Sequence, residues 1–172
     1  MRLVPLALAL ATLVLLPAQG FADPIDDCNS NTPEYIIDGC TKLIDGDKTG
    51  DEAKAIAYFN RANALDDKGD RDAAIADYTA SIKLKADYVE SYLNRGLTYA
   101  KKKDFDSAIA DFTRAIALKP DFDFAFFVRA RAYEEKGELK QALAGYEEAA
   151  KLAPKNKVIQ KRIAEVKQKL GQ

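Results

Sequence analysis

Shifted against itself by 34 residues, the chain repeats. Tyr58 falls on Tyr92 and Phe126, Arg61 on Arg95 and Arg129, and Ala62 on Gly96 and Ala130. The same step carries Ala74 to Ala108 and Ala142, Tyr78 to Phe112 and Tyr146, Leu84 to Leu118 and Leu152, and Ala86 to Pro120 and Pro154. A fixed period of this length means stacked supersecondary units, because no single unit can bury its own apolar face. Within the first unit Tyr58, Ala62 and Leu65 stand at i, i+4 and i+7, one face of a helix. Ala74-Ile75-Tyr78, Ala108-Ile109-Phe112 and Ala142-Leu143-Tyr146 supply the complementary surface on a second helix. Ala62, Gly96 and Ala130 are small enough for helices to cross closely. Lys68-Gly69-Asp70, Lys102-Lys103-Asp104 and Lys136-Gly137-Glu138 read as short turns whose acidic residue opens the next helix. Two of these turns have the glycine that accommodates a left-handed backbone; Lys103 must adopt it at a cost or avoid it.

The middle unit, with Tyr92, Gly96, Tyr99, Ala108, Phe112 and Pro120, resembles the tetratricopeptide repeat family. The resemblance spans Ala55 to Asn156 and implies an all-α solenoid of three helix pairs, 55–88, 89–122 and 123–156. Its departures are Arg61, Arg95 and Arg129 where the family usually has Leu, Leu65 where Tyr is usual, and Ala86 in place of the first closing Pro. None of these breaks a helix.

Both ends of such a stack need covers. Val158, Ile159, Ile163, Val166 and Leu170 form an apolar stripe with lysines mostly opposite, which predicts a capping helix over 157–172. Residues 23–54 are expected to contain a degenerate half repeat, Pro33 to Ile44, resembling a second helix whose first helix is missing. Ahead of it, Arg2 and the apolar run Leu3 to Leu16, followed by Gly20-Phe21-Ala22, read as a secretory signal peptide over 1–22 with cleavage after Ala22. An uncleaved anchor is the alternative, although the run is shorter than the roughly 20 residues that span a bilayer. Export to the periplasm or the medium favours oxidised thiols, so the two cysteines, Cys28 and Cys40, are expected to form a structural disulfide.

What the resemblance implies for function is a groove for a peptide or a partner's helix, lined by the first helices. The candidate groove residues are Phe59, Asn60, Asn63, Leu93, Asn94, Lys101, Phe124, Phe127 and Arg131. The phenylalanines and Leu93 would anchor apolar groups; the amides, Lys101 and Arg131 would bond a backbone or a carboxylate. The alternative for each is contact with neighbouring helices. Some members of the family clamp a terminal carboxylate in this groove. Here Asn63, Asn94 and Arg131 have the right chemistry, but Phe59 and Phe124 stand where that clamp has lysines.

Arg61 and Arg95 are each followed 16 residues later by an aspartate, Asp77 and Asp111, which predicts ion pairs within the first two repeats. Gly145 stands at the third such place, so Arg129 needs another partner or is available to a ligand.

Catalysis finds no purchase. The chain has no histidine, no phosphate-binding loop and no zinc ligand set, so no cofactor, no metal and no enzymatic activity are expected. Asp45 to Asp51 opens like a calcium loop but has Ile56 where a bidentate Glu is required. With 26 Lys+Arg against 27 Asp+Glu the chain has no general attraction for nucleic acid. Its charge is polarised: Asp23 to Glu52 carries a net −7 and Lys151 to Gln172 a net +6. Binding of a protein or peptide in the groove is therefore the expected function. The alternative is an adaptor that self-associates through its charged ends without a groove ligand.

Overall fold

The computed structural model describes residues 23–172; the signal-peptide reading of 1–22 lies outside the described residues. The described chain is all helix and turn: α1 (Pro24–Cys28), α2 (Pro33–Asp45), α3 (Asp51–Asp67), α4 (Arg71–Leu84), α5 (Val89–Lys101), α6 (Phe105–Leu118), α7 (Asp123–Glu135), α8 (Leu139–Leu152) and α9 (Lys157–Lys169). Each helix packs chiefly on the next in sequence, the defining arrangement of a solenoid. The first helices of successive pairs also touch, α3 against α5 and α5 against α7, and so form the inner wall.

The repeating columns are the core. Tyr78, Phe112 and Tyr146 are wholly buried, as are Ala62, Ala74, Ala108, Ala130 and Ala142. Burying each ring contributes about 1.5–3 kcal/mol. Gly96 serves the middle crossing, where a Cβ would stand 2.7 Å from the Phe112 ring, so the position has no room for even a methyl group. All three first helices close in the same way. The amides of Asp70, Asp104 and Glu138 donate back to the carbonyls of Leu65, Tyr99 and Tyr133 at 2.9, 3.0 and 2.9 Å. That closure needs a left-handed residue, supplied by Gly69 (φ 87°), Gly137 (φ 80°) and, at a steric cost, Lys103 (φ 64°).

The acidic turn residues divide. Asp70 and Asp104 each accept the amide of N3, Ala73 and Ser107, at 3.2 Å. Glu138 makes no such cap; its longer side chain accepts instead from Lys136 at 2.7 Å and Gln141 at 3.1 Å.

At the leading end α3 has 17 residues against 13 in α5 and α7. α3 packs on α1 and α2, where Cys28, Cys40, Ile44 and Ala57 form a small separate core. The Cys28–Cys40 disulfide is present. It joins the short helix α1 to α2. Gly39 lets that helix come close: a Cβ there would lie 2.6 Å from the Cys28 amide. At the other end α9 lays Ile159 and Val166 on the stack, with Asn156 capping its start through bonds of 3.0 and 3.4 Å to the amides of Val158 and Ile159.

Candidate functional site

A groove of about 620 Å³ runs along the inner wall from α3 to α7. Its apolar surface comes from Leu97 and Val128 on the first helices and from Phe105 and Phe112 behind them. Of the residues named from sequence, Asn63, Asn94, Lys101 and Arg131 line it.

The two asparagines form the polar centre. The Tyr78 hydroxyl donates to Asn63 Oδ1 at 2.5 Å, and Asn94 Nδ2 donates to the same oxygen at 2.9 Å. Asn63 has thereby spent its acceptor and retains both Nδ2 protons, while Asn94 retains its oxygen. Two adjacent amides with one donor group and one acceptor to offer suit an extended backbone. Burial, and then the nearby negative charge of Asp66, push the Tyr78 phenol well above its ordinary range, so it remains a donor throughout the physiological pH range.

Charge is arranged along the groove rather than pooled. Lys101 pairs with Asp66 from the preceding repeat. Asp66 is only 10% exposed, and its Oδ1 has no hydrogen-bond partner among the described residues, with Arg71 Nε 3.9 Å away. Arg131 and Lys103 have no ion-pair partner among the described residues and flank the groove together with Asp67 and Glu135.

The other five named residues are used elsewhere. Phe59 packs between Tyr78 and Tyr88, with ring centroids at 6.0 and 5.1 Å. Asn60 donates to the Cys28 carbonyl and to Asn29 Oδ1, each at 3.3 Å, and so ties α3 to the leading end. Leu93 is buried in the core of the middle repeat. Phe127 lies against Tyr146 at 5.6 Å. Phe124, 43% exposed, stands with Phe127, Val158 and Ile159 around a separate hollow of about 200 Å³ at the capping helix. None of the five lines the groove. Sequence reasoning missed Asp66, Tyr78, Lys103, Phe105 and Phe112 as groove residues; the Tyr78 and Phe112 column was visible only as packing.

Behind the groove, the arginines make a ladder. Arg61 donates from Nε and Nη2 to Asp77 at 2.7 and 2.9 Å and from Nη1 to Thr41 at 2.9 Å. Arg95 repeats this with Asp111, at 2.8 Å twice, and with Thr79 at 2.8 Å. These bonds, Asp77 and Asp111 foremost, hold both guanidiniums above their ordinary pKa. Lysines knit the repeats further: Lys102 to Asp72, Lys136 to Asp106 at 2.5 Å, and Lys169 to Glu134 at 2.7 Å.

Helix pairs stacked in sequence order around such an inner groove define a helical-repeat solenoid. Models of the tetratricopeptide repeat match residues 62–103, 89–122 and 125–156, together more than half of the chain. The chain belongs to the tetratricopeptide repeat family. No curated protein sequence matches it closely enough to count as a relative.

Among solved structures, the first repeat domain of Spaghetti (RPAP3) bound to the HSP90 peptide SRMEEVD is 26% identical, covering 72% of this chain and 98% of that one, with a TM-score of 0.67. The second such domain of human RPAP3, in complex with the HSP70 peptide SGPTIEEVD, is 29% identical over 69% and 98%, with a TM-score of 0.65. MamA from Desulfovibrio magneticus RS-1 shares the fold at a TM-score of 0.75 and 16% identity, over 86% of this chain and 81% of that one. Fold and neighbours together make this a protein-interaction module.

Proposed function

We propose that the protein is exported to the periplasm or the medium and there holds an extended peptide, or a partner's helix, in the groove between α3, α5 and α7. One observation carries this reading: Asn63 and Asn94 present unspent hydrogen-bonding atoms in the groove that Leu97 and Val128 line, with Arg131, which has no ion-pair partner among the described residues, lining it too. The RPAP3 domains, similar in fold, are peptide-bound. Their peptides end in acidic residues, and Phe59 and Phe124 make this groove a poor copy of a lysine clamp, so the ligand proposed is a peptide of a different sequence.

A photo-crosslinking residue at Leu97, in protein expressed in its source cell, would trap the ligand for identification. Asn94→Ala and Arg131→Ala are expected to lower trapping by about tenfold, since each removes a hydrogen bond or a charge to the ligand. Undiminished trapping in both variants, at unchanged melting temperature, would defeat the proposal. Export is supported by the apolar run before Asp23 and by the disulfide. A mature N-terminus at Asp23 in an envelope fraction would establish it.

A second reading rests on the two ends. The leading end exposes Ile25 and Tyr35 amid acidic residues, and the trailing end exposes Val158 amid basic ones. Head-to-tail association through these surfaces would dissociate as salt rises. Light scattering that finds a monomer at both low and high salt excludes it.

A further inference from the structure

The ladder of arginines is complete twice and broken once. Arg129 keeps the pose of its counterparts: its guanidinium lies over Phe126 at 5.5 Å, as Arg61 lies over Tyr58 and Arg95 over Tyr92, and its Nη1 points to Thr113 at 3.3 Å. What it lacks is the carboxylate. Gly145 occupies the place of Asp77 and Asp111, and Arg129 Nε is buried without a hydrogen-bond partner among the described residues. The neighbouring carboxylates of α8 are engaged elsewhere, Glu147 with Lys167 at 3.2 Å and Glu148 with Lys151 at 2.6 Å.

We propose that Arg129 is a receptor for a carboxylate supplied from outside the chain, the Asp or Glu side chain of a partner protein, which takes the position that Asp77 and Asp111 occupy in the first two repeats. The geometry required is displayed twice in this molecule: two parallel bonds from Nε and Nη2, with the third edge of the guanidinium held by a threonine. A planar cation already oriented by an aromatic ring and a threonine loses little freedom on binding, which favours a bidentate partner over a hydrated ion. Arg129 lines neither the groove nor the hollow at the capping helix. The carboxylate is expected to arrive as part of a protein surface, and the site lies apart from the groove.

The test uses acetate as the probe of a lone carboxylate, with chloride at matched ionic strength as control, and reads the Nε–H resonances of individual arginines by NMR. Arg129 is expected to shift saturably, about tenfold more tightly than exposed Arg114, while Arg95, already bonded to Asp111, stays still. Gly145→Asp should abolish the response by filling the place from within. A Cβ there would stand 3.0 Å from that of Ala130, a tight fit, but Ala62 and Asp77 share the same register in the first repeat.

If Gly145→Asp does not fold, Arg129→Gln serves. Acetate should raise the melting temperature of the native protein above that in chloride, and should not raise that of the variant. An Arg129 resonance that is unmoved, or moves only in step with Arg114, overturns the proposal, as does an acetate response that survives in the substituted protein.

Discussion

Arg95 and Asp111 face each other through two parallel hydrogen bonds of 2.8 Å, closing α5 onto α6 across the back of the groove. Arg61 and Asp77 do the same for α3 and α4. Both carboxylates are nearly buried, so removing one strands a guanidinium with little access to water. Asp111→Ala is expected to cost about 3 kcal/mol, read from the urea midpoint. Arg129→Ala, which breaks no ion pair among the described residues, should cost less than about 1 kcal/mol. Equal losses would contradict the ladder as described.

Lys103 bears a left-handed backbone, φ 64°, where its two counterparts are glycine. Lys103→Gly is expected to stabilise the protein by about 0.5–1 kcal/mol, the relief of Cβ strain less the added freedom of the unfolded chain. The converse change, Gly137→Ala, should destabilise by about 1 kcal/mol. Thermal unfolding of both variants checks the pair of signs.

Reducing Cys28–Cys40 should cost about 3 kcal/mol by the chain-entropy argument for a loop of this length. The loss is expected to be local first. Hydrogen exchange should rise in α1 while α5 and α6 keep their protection, because only the leading end depends on this small core. Uniform exchange along the chain would count against it.

The capping helix has an acid-sensitive tie. Glu134 accepts from Tyr146 at 2.8 Å and from Lys169 at 2.7 Å. Burial alone would raise its pKa, but the bonds from Lys169 and Tyr146 outweigh it and hold the carboxyl below its ordinary 4.5. A lowered folded pKa gives a contribution fully present above pH 4.5 and lost as pH falls through the lower folded value. The amides of α9 should therefore lose exchange protection below that pH. Glu134→Gln should remove this acid step.

Phe127→Ala separates packing from binding. Because Phe127 packs on Tyr146 and touches the hollow beneath α9, its loss is expected to cost about 3 kcal/mol in stability. Trapping of a groove ligand at Leu97 should be unaffected under conditions where the variant remains folded.

The helices and the arginine pairs were legible because both follow from spacing. A period of 34 places Tyr78, Phe112 and Tyr146 in one column, and a step of 16 places Asp77 opposite Arg61. The groove was only half legible for a physical reason. Helical periodicity tells which side chains share a face, but not how far each helix is rotated against the next in the stack. That rotation carries Asn63 and Asn94 to the open side and turns Phe59 and Leu93 into contacts between helices. Lys103 and Phe105 reach the groove because the turn after α5 brings them there, and no periodic pattern marks a turn's direction. Asn60 was drawn away by the carbonyl of Cys28, 32 residues distant, a contact with no repeating counterpart to betray it.

Since each helix answers chiefly to the one before and the one after, the molecule is extensible. A duplicate of residues 89–122 inserted after Phe122 would present its own starting surface to the unit behind and its own finishing surface to the unit ahead. Such a protein should gain a rung, and with it a longer trough, without any adjustment at either terminus.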